Sequence, residues 1–248
     1  MHWLLPGGLL NSMSRFSYHI PILGFHRIGP HRPDHVPTVT AEAFEKQLGL
    51  LAKWRYSVIS FNEVVSRMEK SLPIPRKAVV ITFDDGYEDN YLVAWPLLRK
   101  FAFPAIVFVT PTEVSTKGFA TWQQLREMAG DGFEIGSHTM HHSYMPTTPD
   151  EKLKEEVADS KTLIEQQLGK RIDFLSYPIG GYTPQAQAMA KQAGYRAACT
   201  TNRGVAYAMT DRFAIRRVKI TDGDANPLVF RAKLSGHYDA FRKLKRPS

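Results

Sequence analysis

The sequence predicts a parallel α/β fold, and a single barrel fits its length. Strand-like and helix-like segments alternate along the 248 residues from about residue 21 onward, which is typical of a parallel sheet. No linker, low-complexity segment or short repeat interrupts the alternation, so one domain accounts for it. The apolar run at residues 78–83 lacks polar alternation, as in strands that are buried on both faces. An open doubly wound sheet is the alternative architecture.

The first half of the alternation begins with a strand at residues 21–28. Thr40 can cap a helix over residues 41–54, in which apolar side chains recur on one face. Ser60 and Glu63 have the spacing of a capping box, which predicts the start of a short helix. The other elements predicted in this half are strands at 57–61, 77–83 and 104–110 and a helix at about 88–101.

The second half continues the alternation to the last predicted helix. Thr121 and the pair Thr148-Pro149 have the pattern of helix starts, and Gly194 has that of a helix end. The predicted helices are at about 122–130, 149–168, 184–193 and 226–241, and the strands at 133–138, 173–177, 195–200 and 213–220. The chain is therefore divided into an irregular leader (1–20), one domain (21–241) and a basic tail (242–248).

The composition argues against nucleic-acid and nucleotide partners. The net charge of +8 favours anionic partners, but the Lys and Arg residues are scattered. Their dense cluster at residues 242–246 is interpreted as a solvated tail. There is no glycine-rich phosphate-binding motif. The single cysteine, Cys199, excludes an intrachain disulfide and is expected to be buried in a strand.

The sequence predicts no membrane-spanning helix, because it contains no run of roughly 18 apolar residues. The apolar stretch at residues 3–10 is broken by Pro6, Gly7 and Gly8. No Lys or Arg precedes that stretch and no Ala-x-Ala site follows, so it is not interpreted as a signal peptide. The expected location is the cytoplasm, with the periplasm or the cell exterior as alternatives. The sequence does not indicate an oligomeric state.

Two adjacent carboxylates, Asp84 and Asp85, follow the apolar strand at residues 78–83. The carboxyl ends of strands are where parallel α/β folds bind their ligands. Adjacent carboxylates repel each other and are costly to desolvate. A bound metal ion, or a proton shared during catalysis, would offset this cost. The alternative is an exposed Asp-Asp-Gly turn.

A pair of histidines four residues apart, His138 and His142, follows another predicted strand. One helical turn would place both imidazoles on one face. Two imidazoles and one carboxylate make a metal site with open positions, and the second carboxylate is then free to act as general base. A divalent metal lowers the pKa of a bound water toward about 7. The combination indicates a metal-dependent hydrolase, and surface histidines are the alternative.

The motifs Thr82-Phe-Asp-Asp-Gly86 and Ser137-His-Thr-Met-His-His142 together resemble the first two motifs of the polysaccharide deacetylases. This is the NodB-homology family, carbohydrate esterase family 4, and the chain resembles its bacterial exopolysaccharide N-deacetylase subgroup. The resemblance covers about residues 21–240. It implies a distorted (β/α)7 TIM-like barrel and metal-dependent deacetylation of a glycan. By position, it implies Asp85, His138 and His142 as metal ligands and Asp84 as the catalytic base.

The segment of residues 176–182 resembles the third motif of the family, which is usually Arg-x-Pro-Tyr. Ile179 stands in place of the Tyr, whose backbone N–H contacts the oxyanion, and a backbone donor does not depend on the side chain. Ser176 stands in place of the Arg that orients the base. The exopolysaccharide subgroup supplies this Arg from a later strand, which points to Arg217, with Arg216 as the alternative.

The general acid of the family is a histidine in a Leu-x-His motif that has no clear counterpart here. Leu234-Ser-Gly-His237 is a weak match at the end of a predicted helix. The subgroup also resembles the chain at residues 24–27, which points to His26 as the group that protonates the leaving amine. A core histidine is the alternative for His26. The side chains expected to contact the sugar are Trp122, Tyr177, Pro178 and Tyr182, with Tyr87 as a further candidate.

The resemblance thus implies a hydrolase that removes acetyl groups from an N-acetylated, or O-acetylated, polysaccharide or oligosaccharide. Zn²⁺ is the expected metal, with Co²⁺, Ni²⁺ or Fe²⁺ as alternatives. Two other functions stay open. The missing Arg and acid motifs suggest a glycan-binding barrel that has lost catalysis, and a cytoplasmic location would favour a deacylase of a small amide metabolite.

Overall fold

The computed structural model describes residues 19–34, 36–206 and 210–236. The leader before residue 19, the basic tail and His237 lie outside the described residues. The strands are β1 (Ile22–Phe25), β2 (Arg27–Ile28), β3 (Thr38–Val39), β4 (Ser57–Val58), β5 (Ala78–Phe83), β6 (Ile106–Val109), β7 (Glu134–Ser137), β8 (Phe174–Ser176), β9 (Ala197–Arg203) and β10 (Ile215–Lys219). The helices are α1 (Ala41–Lys53), α2 (Phe61–Glu69), α3 (Trp95–Lys100), α4 (Trp122–Gly130), α5 (Ser160–Leu168), α6 (Pro184–Gln192) and α7 (Pro227–Leu234).

Seven parallel strands close into a barrel. Their order around the ring is β1-β10-β9-β8-β7-β6-β5, and β1 pairs in parallel with both β10 and β5. Leu23 of β1, for example, pairs with Val218 on one side and with Ile81 on the other. β4 adds to β5 outside the ring, and β2 and β3 form a separate two-stranded sheet. The predicted (β/α)7 barrel is confirmed, and the open sheet is wrong.

Strand β5 is buried along its whole length, as its unbroken apolar sequence predicts. Val79, Ile81 and Phe83 belong to the cluster between the barrel and its helices. Ala78 and Val80 face a second cluster with Ile22, Ile106 and Phe108 of the neighbouring strands. Each large side chain buried in this way contributes about 1.5–3 kcal/mol. The strand ends that carry the polar residues are thus fixed by a rigid scaffold.

Two predicted helices contain a π-helical segment before their regular α-helical part. The helix predicted at 88–101 starts with the π-helical segment Asn90–Ala94, because Pro96 has no N–H to donate to the carbonyl one turn earlier. The helix predicted at 149–168 consists of a 3₁₀ turn, the π-helical segment Lys154–Asp159 and α5. The Thr148 hydroxyl donates to the carbonyl of Tyr144 and does not cap this helix.

Polar residues from several strands meet at one rim of the barrel. Asp84 follows β5, His138 follows β7, Ser176 ends β8 and Arg217 lies near the end of β10. Because all barrel strands are parallel, these carboxyl ends share one edge. Among the helices in the described part of the chain, none combines the length and apolarity needed to cross a bilayer.

Candidate metal and catalytic site

The ligand atoms of Asp85, His138 and His142 all lie within 4.8 Å of one another. Asp85 Oδ1 is 3.4 Å from His138 Nε2 and 3.3 Å from His142 Nε2. This oxygen is buried and makes no hydrogen bond of acceptable geometry. Burial raises the pKa of Asp85, but the two imidazoles outweigh it and hold the pKa well below its ordinary value. An ionised carboxylate facing two imidazole nitrogens fits a divalent metal of the Zn²⁺ type.

The Asp-Asp-Gly turn has a backbone that suits only glycine at its third position. Asp85 has a φ of 72° and Gly86 a φ of 78°, both in the left-handed region. A Cβ atom on Gly86 would lie 2.8 Å from Cγ1 of Val109. The turn directs Asp85 toward the two histidines while Asp84 stays inside the barrel mouth.

His138 is held in one orientation by the strand next to it. Its side chain is buried, its backbone N–H donates to the Val109 carbonyl, and its Nδ1 lies 2.7 Å from the Ser176 carbonyl. The Nδ1–H therefore donates to that carbonyl and leaves Nε2 free toward Asp85. Metal-binding histidines commonly have this arrangement.

The His138–His142 segment is not helical, so the predicted helical turn is wrong. The residues between the two histidines form an irregular loop, in which Thr139 has a φ of 66° and His142 a φ of 57°. The loop still brings the two imidazole centroids to 4.9 Å. The pairing of the rings thus depends on two left-handed backbone positions and not on the 3.6-residue period.

Asp84 is bound by Arg217 through two hydrogen bonds. Nη1 of Arg217 lies 2.8 Å from Oδ1 and Nη2 lies 2.6 Å from Oδ2 of the buried Asp84. Burial raises the pKa of Asp84, but the guanidinium outweighs it and lowers the pKa below its ordinary value. Nη2 of Arg217 also donates to the Ser176 hydroxyl at 2.9 Å. The alternative candidate, Arg216, is exposed on the opposite face of β10.

His26 lines the same cavity, which has a volume of about 500 Å³ and also borders Asp84, Asp85 and both other histidines. Its Nδ1 is buried without a hydrogen-bond partner. Burial lowers the pKa of His26, and the charges of Asp84 and Asp85 oppose this shift without reversing it. The neutral imidazole therefore dominates in the free site at neutral pH.

Ile179 lies at the mouth of the cavity, with 67% of its surface exposed and a φ of 58°. A left-handed conformation at a β-branched residue costs about 1–3 kcal/mol, so neighbouring groups must hold it. The Thr201 hydroxyl donates to the Ile179 carbonyl at 2.7 Å, and the Thr200 hydroxyl donates to the Gly180 carbonyl at 2.5 Å. These two hydroxyls fix the peptide groups that follow Ile179.

The side chains predicted to contact sugar lie away from the cavity. Tyr177 is fully buried and Pro178 is also buried, so both predictions are wrong. Residues along a strand alternate in direction, and because Ser176 faces Arg217, its neighbour Tyr177 faces the core. Tyr182 stacks on Tyr177 with a centroid distance of 5.2 Å, and Trp122 packs against the same core.

The cavity contains residues that the sequence analysis missed. Thr201 and Lys219 line it near the carboxyl ends of β9 and β10. Their position in the predicted strands could have identified them as cavity residues from the sequence. Val36 and Pro37 line it from a loop without any motif. Tyr87, a lesser candidate, does line the cavity, and the guanidinium of Arg27 lies 4.1 Å from its ring centroid.

The fold and the residues at the strand ends define a class of protein, the metal-dependent barrel hydrolases. Comparison with known proteins narrows this class. A family model described as polysaccharide deacetylase matches residues 72–198. YxkH of Bacillus subtilis (strain 168) is 31% identical over 204 residues, which is 82% of this chain and 72% of YxkH. The chain therefore belongs to the polysaccharide deacetylase family, and it is a hydrolase that acts on N-acetyl groups.

Two further relatives agree with this assignment. A peptidoglycan-N-acetylglucosamine deacetylase of Bacillus cereus is 35% identical over 127 residues, which cover 50% of this chain and 57% of that protein. Among solved structures, the Streptococcus pyogenes deacetylase PplD in complex with acetate has a TM-score of 0.82 and 26% identity. That match covers 88% of this chain and 98% of PplD. The predicted family resemblance is thus confirmed.

Proposed function

We propose that this protein deacetylates N-acetylglucosamine residues in a polymer or oligomer, with Zn²⁺ held by Asp85, His138 and His142. The observation that carries the proposal is the side-by-side arrangement of this cluster and the Asp84–Arg217 pair in one open cavity. The similarity to a peptidoglycan-N-acetylglucosamine deacetylase supports the choice of sugar. The two imidazoles favour Zn²⁺ over Mg²⁺ or Ca²⁺, which prefer oxygen ligands.

Asp84 acts as the general base. Arg217 keeps its carboxylate ionised and oriented, so that it can accept a proton from the attacking water. The lowered pKa of Asp84 makes it a weak base, and a divalent ion, when bound, supplies the Lewis acidity that lets such a base suffice. The backbone N–H of Ile179, at the cavity mouth, donates to the developing oxyanion.

The protonated form of His26, which is the minor form in the free site at neutral pH, protonates the leaving amine. The negative charge of Asp84 raises the pKa of His26, and this influence ends once Asp84 has accepted the proton from water. Proton uptake by Asp84 thus makes a protonated His26 a stronger acid at the step where the amine departs. Because Arg217 supplies the guanidinium that the third motif lacks, the main reason for a glycan-binding barrel without catalysis is weakened.

Acetate release from N-acetylglucosamine oligomers tests the proposal. The protein should be assayed as isolated, after chelation, and after adding back Zn²⁺ or Co²⁺. We expect release that chelation abolishes and metal restores, and slower release from the free monosaccharide. Release from a simple N-acetyl amine but not from any oligomer would instead favour the small amide substrate. The cytoplasmic location stays a prediction from the sequence, which fractionation of the source cells tests.

A further inference from the structure

The imidazole of His142 is held differently from that of His138. The His138 ring is buried, and its contact with the Ser176 carbonyl fixes its orientation. The His142 side chain is 40% exposed, and among the described residues Asp85 is the one polar side chain that pairs with it, at 3.3 Å. The direction of the His142 imidazole therefore depends on the backbone that carries it.

The buried carboxylate of Glu156 makes three of the contacts that hold that backbone. Oε2 of Glu156 accepts the backbone N–H of His141 at 3.1 Å. Oε1 of Glu156 lies 2.9 Å from His141 Nδ1 and accepts the Ser143 hydroxyl at 2.7 Å. The backbone carbonyl of Glu156 accepts the N–H of Met140 at 3.0 Å. These four contacts lie on both sides of His142 in the sequence.

The loop needs such an anchor because its backbone is strained. Thr139 and His142 both have a left-handed φ, at 66° and 57°. Each such position costs about 1–3 kcal/mol and persists only where the surroundings impose it. Glu156 is itself 4% exposed and lies in the π-helical segment Lys154–Asp159, a type of distortion that is frequent at functional sites.

We propose that Glu156 is a positioning residue that aims His142 at the metal site. It does not line the cavity, and its carboxylate acts through His141 and Ser143 on the loop that carries the imidazole. The inference rests on the proposed metal site, because it assigns His142 as a ligand. It adds a residue outside the sequence motifs to the set that determines metal affinity.

Metal binding tests this role directly. The protein would be titrated with Zn²⁺ against a chelating indicator, and with Co²⁺ while its visible absorption is recorded. We expect Glu156→Gln to weaken affinity by about 10–100-fold and to alter the Co²⁺ spectrum, as is usual when a residue that orients a ligand is changed. Glu155→Gln is the matched control, because Glu155 is partly exposed and lies 3.9 Å from His141 Nε2. It should bind metal like the wild type.

A folded Glu156→Gln variant with wild-type affinity and spectrum would overturn the inference, even if its melting temperature fell. Where that variant does not fold, the double variant His141→Ala/Ser143→Ala decides, because it removes the side-chain donors and keeps the carboxylate. Unchanged affinity and spectrum there would again overturn the inference. A wild-type protein that binds neither ion would contradict the proposed metal site itself, which is a distinguishable result.

Discussion

Arg217 reaches from β10 across β1 to the carboxylate of Asp84 at the end of β5. Both side chains are at most 2% exposed, and the two hydrogen bonds between them measure 2.8 and 2.6 Å. The remaining guanidinium contacts are the Thr82 hydroxyl at 3.0 Å, the Ser176 hydroxyl at 2.9 Å and the Thr200 carbonyl at 3.2 Å. A buried pair with this many hydrogen bonds is fixed in geometry, and loss of one partner typically costs about 3–5 kcal/mol.

Replacing Arg217 by Lys should show whether turnover depends on the positive charge of residue 217 alone or also on the orientation that it gives to Asp84. Lysine keeps the positive charge but cannot bind both carboxylate oxygens in the fork geometry of arginine. We expect kcat for acetate release to fall by about 100-fold, because a small displacement of a catalytic group has effects of this size. Bound metal, measured by elemental analysis, should not change. Arg216→Lys is the control, since Arg216 is exposed, and equal losses in both variants would contradict the assignment.

Replacement by Asn should affect turnover alone at Asp84, but both turnover and metal binding at Asp85. Asp84→Asn keeps the shape of the side chain but removes the proton acceptor, so we expect kcat to fall by about 10²–10⁴-fold with metal retained. Asp85→Asn removes the ionised oxygen that faces the two histidines, so metal should be lost as well. Elemental analysis and acetate release on the same samples distinguish the two. Full activity of Asp84→Asn would show that another group is the base.

The sequence was most informative where one local pattern sufficed. The apolar run of β5 predicted a strand buried on both faces, and the Asp-Asp-Gly turn at its end marks the candidate site. The choice between Arg216 and Arg217 depended on which face of β10 points inward. That face is set by pairing with β1 and β9, which no local pattern reveals.

The wrong predictions, like the choice between the two arginines, concern features that depend on tertiary contacts. The spacing of His138 and His142 suggested a helical turn, but the tertiary contacts of Glu156 and Thr112 hold this loop in left-handed conformations that propensity does not predict. Tyr177 was expected at the sugar because aromatic rings stack on sugars, yet strand alternation directs it into the core. Both cases needed knowledge of partners far away in the sequence.

Glu134 should make the stability of the protein depend on pH. Its carboxylate accepts the backbone N–H groups of Phe61 and Asn62 at 2.9 and 3.0 Å, and burial raises its pKa from 4.5 to about 7. The folded state then holds the proton more tightly than the unfolded chain. Its contribution to the free energy of unfolding is present below about pH 4.5 and is lost as pH rises through about 7, at most about 3 kcal/mol.

Urea unfolding at several pH values between about 4.5 and 8 measures this effect. Glu134→Gln cannot titrate, so the difference in unfolding free energy between wild type and variant should shrink or change sign as pH rises. The exposed Glu151→Gln variant should follow the wild-type curve at every pH. Parallel curves for wild type and Glu134→Gln would contradict the raised pKa.

Thr201 should support turnover through the backbone of Ile179. Thr201→Val keeps the size and branching of the side chain but removes the hydroxyl that donates to the Ile179 carbonyl at 2.7 Å. Loss of a hydrogen bond worth about 1 kcal/mol in holding the oxyanion donor corresponds to a fall in kcat of roughly five- to tenfold. KM should change little, because the affected group acts on the transition state.

Ile179→Gly distinguishes the role of the backbone N–H of residue 179 in turnover from the role of its side chain. Glycine adopts the left-handed φ of 58° without the penalty that isoleucine carries, so the turn should persist. If the N–H of residue 179 is the donor to the oxyanion, this variant keeps wild-type turnover while Thr201→Val shows the reduced kcat. The opposite pattern, with a folded Ile179→Gly variant inactive and Thr201→Val unaffected, would assign the role of residue 179 to its exposed side chain. That side chain would then act as an apolar contact for the substrate, since 67% of its surface is exposed at the cavity mouth.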